Sequence, residues 1–263
     1  MQHHRKQQKA GAPKKPPWIT VKTPRGQNYD TICRLKSASG LHTVCESARC
    51  PNIGECWPAG HATFMIMGDG CTRNCAFCGV GKTPLPLEAD EPQRVAEAVA
   101  AMGLDHAVMT SVTRDDLPDG GAAHFAKTIA QIRSQCPDTT IEVLIPDFKG
   151  SREALKRVVN AGPDIIGHNI ETVRRLYPEV RPLADYAQSL TLFCAVHAMA
   201  PDQLTKSGIM VGLGESLSEV YETIREIRAA GVDILTAGQY LQPGPENIDV
   251  FEYVLPETFE YLK

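Results

Sequence analysis

The chain has 263 residues, 43% apolar and 22% charged, with 27 Lys/Arg against 31 Asp/Glu for a net charge of −4. That length suits one large α/β domain or two small ones, with an ordinary globular composition and room for a proper core. No apolar run approaches the roughly 18–20 residues of a membrane span, which excludes a helical membrane protein.

The N-terminal MQHHRKQQKAGAPKKPP is basic, but no apolar segment follows it as in a signal peptide, and it lacks the amphipathic pattern of organellar targeting. Nine cysteines in such a chain therefore read as metal or redox chemistry in a reducing cytoplasm and not as a disulfide scaffold. The first 29 residues hold seven Lys/Arg and no acid, leaving 20 basic against 31 acidic side chains in the rest. A basic tail over 1–15 can signal nucleic acid. The plainer reading is a disordered, solvated arm, and no nucleic-acid or membrane partner is expected. The same charges would suit an acidic protein partner.

Residues 16–60 form an extension rich in cysteine, and HATFMIMG (61–68) then predicts a strand running into a second cysteine group. EPQRVAEAVAAM (91–102) predicts a helix with Val95, Val99 and Met102 on one face. AVMTSV (107–112), IEVLIP (141–146), DIIGHNI (164–170), SGIMVGL (207–213) and DILTAGQY (233–240) predict further strands. Such continuous apolar runs are typical of a parallel sheet covered by helices. Helical patterns lie between them, as in Phe125/Ile129/Ile132 and Leu217/Val220/Ile224/Ile227, the latter opening on a Ser216–Glu219 capping box.

Three helix-to-strand turns share one signature: Gly103-Leu-Asp105, Gly162-Pro-Asp164 and Gly231-Val-Asp233. A glycine there ends the helix in the left-handed region. Its recurrence predicts about six βα units, hence a doubly wound sheet or an incomplete barrel, with the chemistry at the C-terminal strand ends. PETFEYLK (256–263) predicts the first turns of a helix. So short a helix is marginal unless packed, and the expectation is that 244–263 begins a C-terminal segment of which a piece is missing.

Six cysteines fall between 45 and 78 in two groups of three. Cys71, Cys75 and Cys78 are spaced C-x₃-C-x₂-C. Three thiolates on one loop can hold three corners of a [4Fe–4S] cluster and leave one iron open for a small chelating molecule. Zinc is the alternative, but zinc sites usually find a fourth Cys or His. Free thiols on an exposed polar loop are a poor third reading, because thiols prefer burial. Cys45, Cys50 and Cys56 make an upstream triplet, C-x₄-C-x₅-C.

The C-x₃-C-x₂-C group after the first strand of a βα series resembles the radical S-adenosylmethionine (SAM) superfamily. With HTVCESARCPNIGECW and GDGCTRNCAFC the chain resembles the lipoyl synthase family. The likeness continues through TSVTRDDLPDGGAAHF (110–125), IEVLIPDF (141–148), HNIETV (168–173), TKSGIMVGLGE (205–215) and GQYLQP (238–243). It implies a partial (βα)6 TIM-like barrel over 61–243 behind the N-terminal extension. It also implies a sulfurtransferase that adds two sulfur atoms at C6 and C8 of an octanoyl group on a carrier-domain lysine.

Two [4Fe–4S] clusters and SAM are implied, with Cys71, Cys75 and Cys78 holding the SAM-binding cluster. Cys45, Cys50 and Cys56 would hold the auxiliary, sulfur-donating one. The implied partners are an octanoylated lipoyl domain (of a 2-oxoacid dehydrogenase E2 subunit or a glycine cleavage H protein), a ferredoxin- or flavodoxin-type reductant, and cluster-assembly proteins. In this family a serine of an Arg-Ser-Ser-Tyr segment completes the auxiliary cluster. That segment does not occur here, so either a piece is missing or another ligand serves. A biotin-synthase-like enzyme would lack the upstream triplet, whereas an inactive iron–sulfur protein would keep both.

Further SAM contacts follow from the resemblance. Phe77 would pack near the adenine, with a plain core phenylalanine as the alternative, and Ser111 would bind the methionine amino group. Asn169 and Glu171 would hold ribose or methionine, and Lys206 and Ser207 flank the next strand. Arg114, Asp115 and Asp116 read as loop salt bridges in preference to an acyl channel. Cys33, Cys136 and Cys194 read as structural thiols. His42, His61, His168 and His197 form no ligand spacing, and His168 reads as a hydrogen-bonding residue. The Gly212–Glu215 stretch lacks the rest of a dinucleotide fingerprint.

Overall fold

Six strands lie parallel and in sequential order, which turns six βα units into a curved, singly wound wall. The computed structural model describes residues 13–262, so the expected basic tail lies outside the described residues except for Pro13–Lys15. The strands are β1 (His42–Thr43), β2 (Thr63–Ile66), β3 (His106–Ser111), β4 (Thr140–Leu144), β5 (Ile165–Gly167), β6 (Leu204–Val211) and β7 (Ile234–Gln239). Their order in the sheet is β1-β2-β3-β4-β5-β6-β7, with β1 antiparallel to β2 and every later pair parallel. A doubly wound sheet would reverse its order part-way. None occurs, so the barrel alternative is the one realised, left open between β7 and β1.

The helices are α1 (Gln27–Ser39), α2 (Val44–Ser47), α3 (Ile53–Cys56), α4 (Glu91–Met102), α5 (Ala122–Gln135), α6 (Arg152–Asn160), α7 (Tyr177–Val180), α8 (Tyr186–Met199), α9 (Leu217–Ala229) and α10 (Pro256–Tyr261). Helix α4 has the boundaries its apolar face predicted, and α9 opens on the Ser216–Glu219 capping box. Strand β1 and helix α1 gave no sequence signal. Two residues cannot show a period, and α1 buries only Ile32, so it has no apolar stripe to read.

The main core lies between helices and sheet. Val95, Val99, Phe125, Ile129 and Ile132 from α4 and α5 meet Met109, Ile141, Val143 and Ile166 from the strands, all essentially inaccessible. Full burial of each such side chain contributes about 1.5–3 kcal/mol. A separate small cluster of Ile32, Trp57 and Ala62 supports the cysteine-rich extension, with Tyr29 packed on Trp57 at 5.4 Å between ring centroids.

The glycine turns are as expected: Gly103, Gly162 and Gly231 have φ of 59°, 71° and 93°. A Cβ on Gly103 would meet nothing within 4 Å, whereas one on Gly231 would lie 2.8 Å from His197 Cδ2. Gly103→Ala therefore isolates the backbone cost and should lower stability by about 1–2 kcal/mol. Gly231→Ala should cost more because it adds the clash. Urea unfolding of the two variants measures the difference; equal losses would contradict it.

Candidate active site

The second cysteine group lies just past β2, on a loop closed at its base. Gly70 bridges Gly81, and the Cys71 amide donates to the Gly81 carbonyl at 2.8 Å. A Cβ on Gly70 would stand 1.7 Å from the Thr83 carbonyl oxygen, so the two backbones cross only because residue 70 has no side chain. Thr72 fastens the loop to the segment after β3: its amide and hydroxyl both donate to the Thr113 carbonyl, at 3.0 and 2.9 Å. Its hydroxyl in turn accepts from the Asp115 amide.

Arg73, between Cys71 and Cys75, is 5% exposed. Nε and Nη2 donate to Asp115 at 2.8 and 3.1 Å, while Nη1 and Nη2 donate to Asp147 at 2.8 and 2.6 Å. Two bidentate carboxylates thus grip one planar guanidinium, the geometry for which arginine is suited and lysine is not. Burial by itself would raise the Asp147 pKa; the bonds and charge of Arg73 outweigh it and hold the carboxyl at about 2. Asp147 is followed by two non-glycine residues in the left-handed region, Phe148 (φ 47°) and Lys149 (φ 51°). Such residues cost of order 1–3 kcal/mol each. Here the Phe148 ring is fixed edge-on against Phe125, and the Lys149 amide donates to Asp147.

Cys71, Cys75 and Cys78 are half-buried, free and mutually close enough to influence one another electrostatically. Cys71 Sγ accepts from the amides of Thr113 (3.3 Å) and Arg73 (3.4 Å). Burial pushes the Cys75 and Cys78 thiols above their usual pKa, and the Arg181 charge opposes this at Cys75. Arg181 Nη1 donates to the Asn169 carbonyl and the Tyr177 hydroxyl, both at 2.9 Å. Glu171, at φ 70°, is knitted to β6 through the Gly208 carbonyl and the Met210 amide; burial pushes its carboxyl up, against Arg181.

The first triplet sits on α2, the turn after it, and α3. Thr43 caps α2 by accepting from the Glu46 amide, and the Cys50 amide donates to the Cys45 carbonyl. Burial raises Cys50, opposed by a backbone bond from Asn52 and reinforced by Cys45, and it raises Cys56 with Cys50 and then Cys45 adding to it, so this triplet too forms one electrostatic group. Among the described residues no three His, Cys, Asp or Glu side chains close on a single ion. One zinc would require that convergence. A cubane spreads its thiolates over separate irons and is tuned by N–H bonds to sulfur, as at Cys71, so both donor sets fit such a cluster. Loading either must expel thiol protons.

A family model described as the radical SAM superfamily matches residues 65–227, and one described as the N-terminal domain of lipoyl synthase of that family matches residues 1–50. The chain is 53% identical over 251 residues to the lipoyl synthase of Caldicellulosiruptor bescii, covering 95% of this chain and 86% of that protein. It is 51% identical to the lipoyl synthase of Alkaliphilus metalliredigens over 95% of this chain and 87% of that one. The chain belongs to the lipoyl synthase family of the radical SAM superfamily. Among solved structures, methylornithine synthase shares the fold with a TM-score of 0.59 at 13% identity, covering 90% of this chain and 68% of that one.

Against the expectations for a lipoyl synthase, the fold sets Cys75, Asn169 and Glu171 beside Arg181 and brings Cys71 and Cys78 to Cys75. Phe77 packs half-buried on the main core. Ser111 ends β3 in register with Ile66, and its hydroxyl is shielded from solvent and unpartnered. Lys206 and Ser207 do not flank a strand: β6 begins at Leu204, so both lie inside it. There Lys206 is paired with Glu142 at 2.7 Å, and Ser207 donates to the His168 carbonyl.

Asp115 joins Arg73, and Arg114 joins Asp116, which makes that stretch ion pairs as expected. Cys194 departs from its expectation: it is exposed on α8 because it lies away from the helix face that carries Ser189, Phe193 and Val196 inward. Arg73, Arg181 and Asn247 carry the site's framework and were not singled out from sequence. Arg73 stood inside the quoted GDGCTRNCAFC stretch, while Arg181 and Asn247 carried no local signal.

Arg73→Gln leaves Asp147, 1% exposed, as a buried unpaired carboxylate. It should cost about 3–5 kcal/mol in urea unfolding at neutral pH. The parent should lose that contribution as the pH falls from the ordinary carboxylate range toward 2, because the folded pKa is depressed. His168 obeys the same sign for another reason. Burial, then Arg181, lowers its pKa from 6.5 to about 4, so between those values the unfolded chain binds a proton that the folded one refuses. Stability should fall through that window by up to roughly 3 kcal/mol. His168→Gln should flatten this part of the pH–stability profile.

Proposed function

We infer that the protein is a lipoyl synthase, inserting sulfur at C6 and C8 of an octanoyl chain carried on a lipoyl-domain lysine. The observation that carries the reading is the pair of cysteine triplets on adjoining loops, each offering three thiolates, in a chain that matches both family models. Hydrogen abstraction from unactivated carbon lies beyond any side-chain acid or base. Bound SAM and its cluster supply that radical chemistry, and the auxiliary cluster supplies sulfur.

The chain's own contribution is to hold and shield. Cys71, Cys75 and Cys78 would hold the SAM-binding cluster, and Cys45, Cys50 and Cys56 the auxiliary one. The amides of Arg73 and Thr113 donate to Cys71 Sγ, and Arg181 supplies positive charge beside Cys75. Asn169, Glu171, Phe77 and the unpartnered hydroxyl of Ser111 are the proposed SAM contacts. Lys206 and Ser207 would contribute only after release from Glu142 and the His168 carbonyl.

We assign 16–60 to the auxiliary extension, which has its own small core around Trp57, 61–243 to the barrel and 244–263 to a C-terminal segment. A ferredoxin- or flavodoxin-type reductant, cluster-assembly proteins and a cytoplasmic site of action complete the proposal. Among the described residues no helix is long and apolar enough to cross a membrane.

The test is a single turnover on an octanoylated lipoyl-domain peptide after anaerobic cluster loading. Cys75→Ala should abolish deoxyadenosine formation, whereas Cys50→Ala should keep it and lose the thiolated product. Equal losses in both variants would refute the division of roles. A parent that yields deoxyadenosine but no thiolated peptide would mean a live SAM half and a dead sulfur half, and a parent that yields neither would favour an inactive iron–sulfur protein.

A further inference from the structure

The two cysteine groups lie on separate loops, and the segment after β7 touches both. On the SAM side, Asn247 Nδ2 donates to the Cys78 carbonyl at 3.0 Å and to the Ala76 carbonyl at 3.2 Å, and the Ile248 amide donates to Ala76 O at 2.9 Å. On the auxiliary side, Arg49 Nη1, one residue before Cys50, donates to the Pro243 carbonyl at 3.2 Å. Between the two is Gly79, directly after Cys78. A Cβ there would lie 3.1 Å from Pro243 Cβ, 3.4 Å from the Ser47 carbonyl oxygen and 3.5 Å from that of Ala48. Residue 79 is therefore where both cysteine loops and this strap meet.

The strap is itself braced. Tyr240 Oη donates to the Ile248 carbonyl at 2.7 Å, and Gln242 Nε2 donates to Asn247 O and to Asp249. Both acceptors of Asn247 are carbonyls, which fixes its amide with nitrogen toward the SAM-cluster loop. Its oxygen is buried without a partner. An orphaned buried acceptor costs about 1–3 kcal/mol, a cost the site bears while directing both N–H bonds of one side chain at the loop.

We propose that the strap Gln242–Ile248 fixes the spacing of the two cluster loops, with Asn247 and Arg49 as the positioning residues at its two ends. The inference rests on the two-cluster reading above. Two carbons of one acyl chain must each meet a radical on one side and a sulfur on the other, and they sit two bonds apart. Misplacement by about 1 Å can cost a hundredfold in such a reaction. Neither loop has regular structure longer than one helical turn to hold that distance by itself. The strap supplies hydrogen bonds to both, from a segment anchored on the last barrel strand.

The test compares Asn247→Ala and Arg49→Ala with the parent, all loaded anaerobically. The first readout is independent of turnover: microwave power saturation of the reduced clusters' EPR signals, which reports relaxation of one cluster by its neighbour. Both variants should bind the parent's complement of iron and sulfide, show weakened inter-cluster relaxation, and insert roughly tenfold fewer sulfurs per deoxyadenosine formed. Unchanged relaxation with an unchanged sulfur-to-deoxyadenosine ratio would overturn the proposal. So would loss of the SAM cluster from both variants, since the strap would then be only a scaffold for one loop. Arg49 is exposed and its replacement leaves the core intact, which covers misfolding of the Asn247 variant. Failure of the two-cluster reading is distinguishable, because the parent itself would bind only about four irons.

Discussion

A buried guanidinium must have its donors answered, and everything at this site depends on how Arg73 achieves that. It lies within the loop that carries three cysteines, and its two acidic partners lie at the ends of β3 and β4. Hydrogen bonding thereby fixes a glycine-rich, otherwise irregular loop to two neighbouring strands of the wall. The left-handed backbone at Phe148 and Lys149 is tolerated because it presents Asp147 to that guanidinium. The core behind it supplies the free energy that keeps the strained turn closed.

Charge around Cys71, Cys75 and Cys78 is similarly arranged. Three thiols gathered in a partly buried place would repel one another once ionised, and burial keeps Cys75 and Cys78 protonated until something displaces their protons. Arg181 and Lys82 lie on the opposing side of that balance, with amide donors at Cys71. Burial thus favours the neutral thiol at Cys75 and Cys78, while cations and N–H groups that favour a thiolate are already in position. Loading a cluster must displace the protons of these thiols.

Much of this was legible in the sequence, for identifiable reasons. Continuous apolar runs gave six parallel strands, the Val95/Val99 face gave α4 to the residue, and the glycine turns gave the βα repeat. The cysteine spacings located both triplets because their chemistry is local. What was not legible was long-range. Arg73 meets its aspartates 42 and 74 positions away, and Asn247 reaches back 169 and 171 positions to Cys78 and Ala76. No periodicity encodes such pairings. The placement of Lys206 failed for a related reason: the strand's start was read from its apolar residues, and the polar Thr205–Lys206 pair that also belongs to β6 was left outside.

The crossing at Gly70 has a consequence for how inherited variation in this protein should be interpreted. Gly70 is itself buried, and the loop around the cysteines cannot close over any side chain there. A missense change at this position would push the backbones at Gly70 and Thr83 apart and present the thiols on a misplaced loop. An assay of what the cysteines hold reads this displacement directly, where a measure of folding reads only its cost.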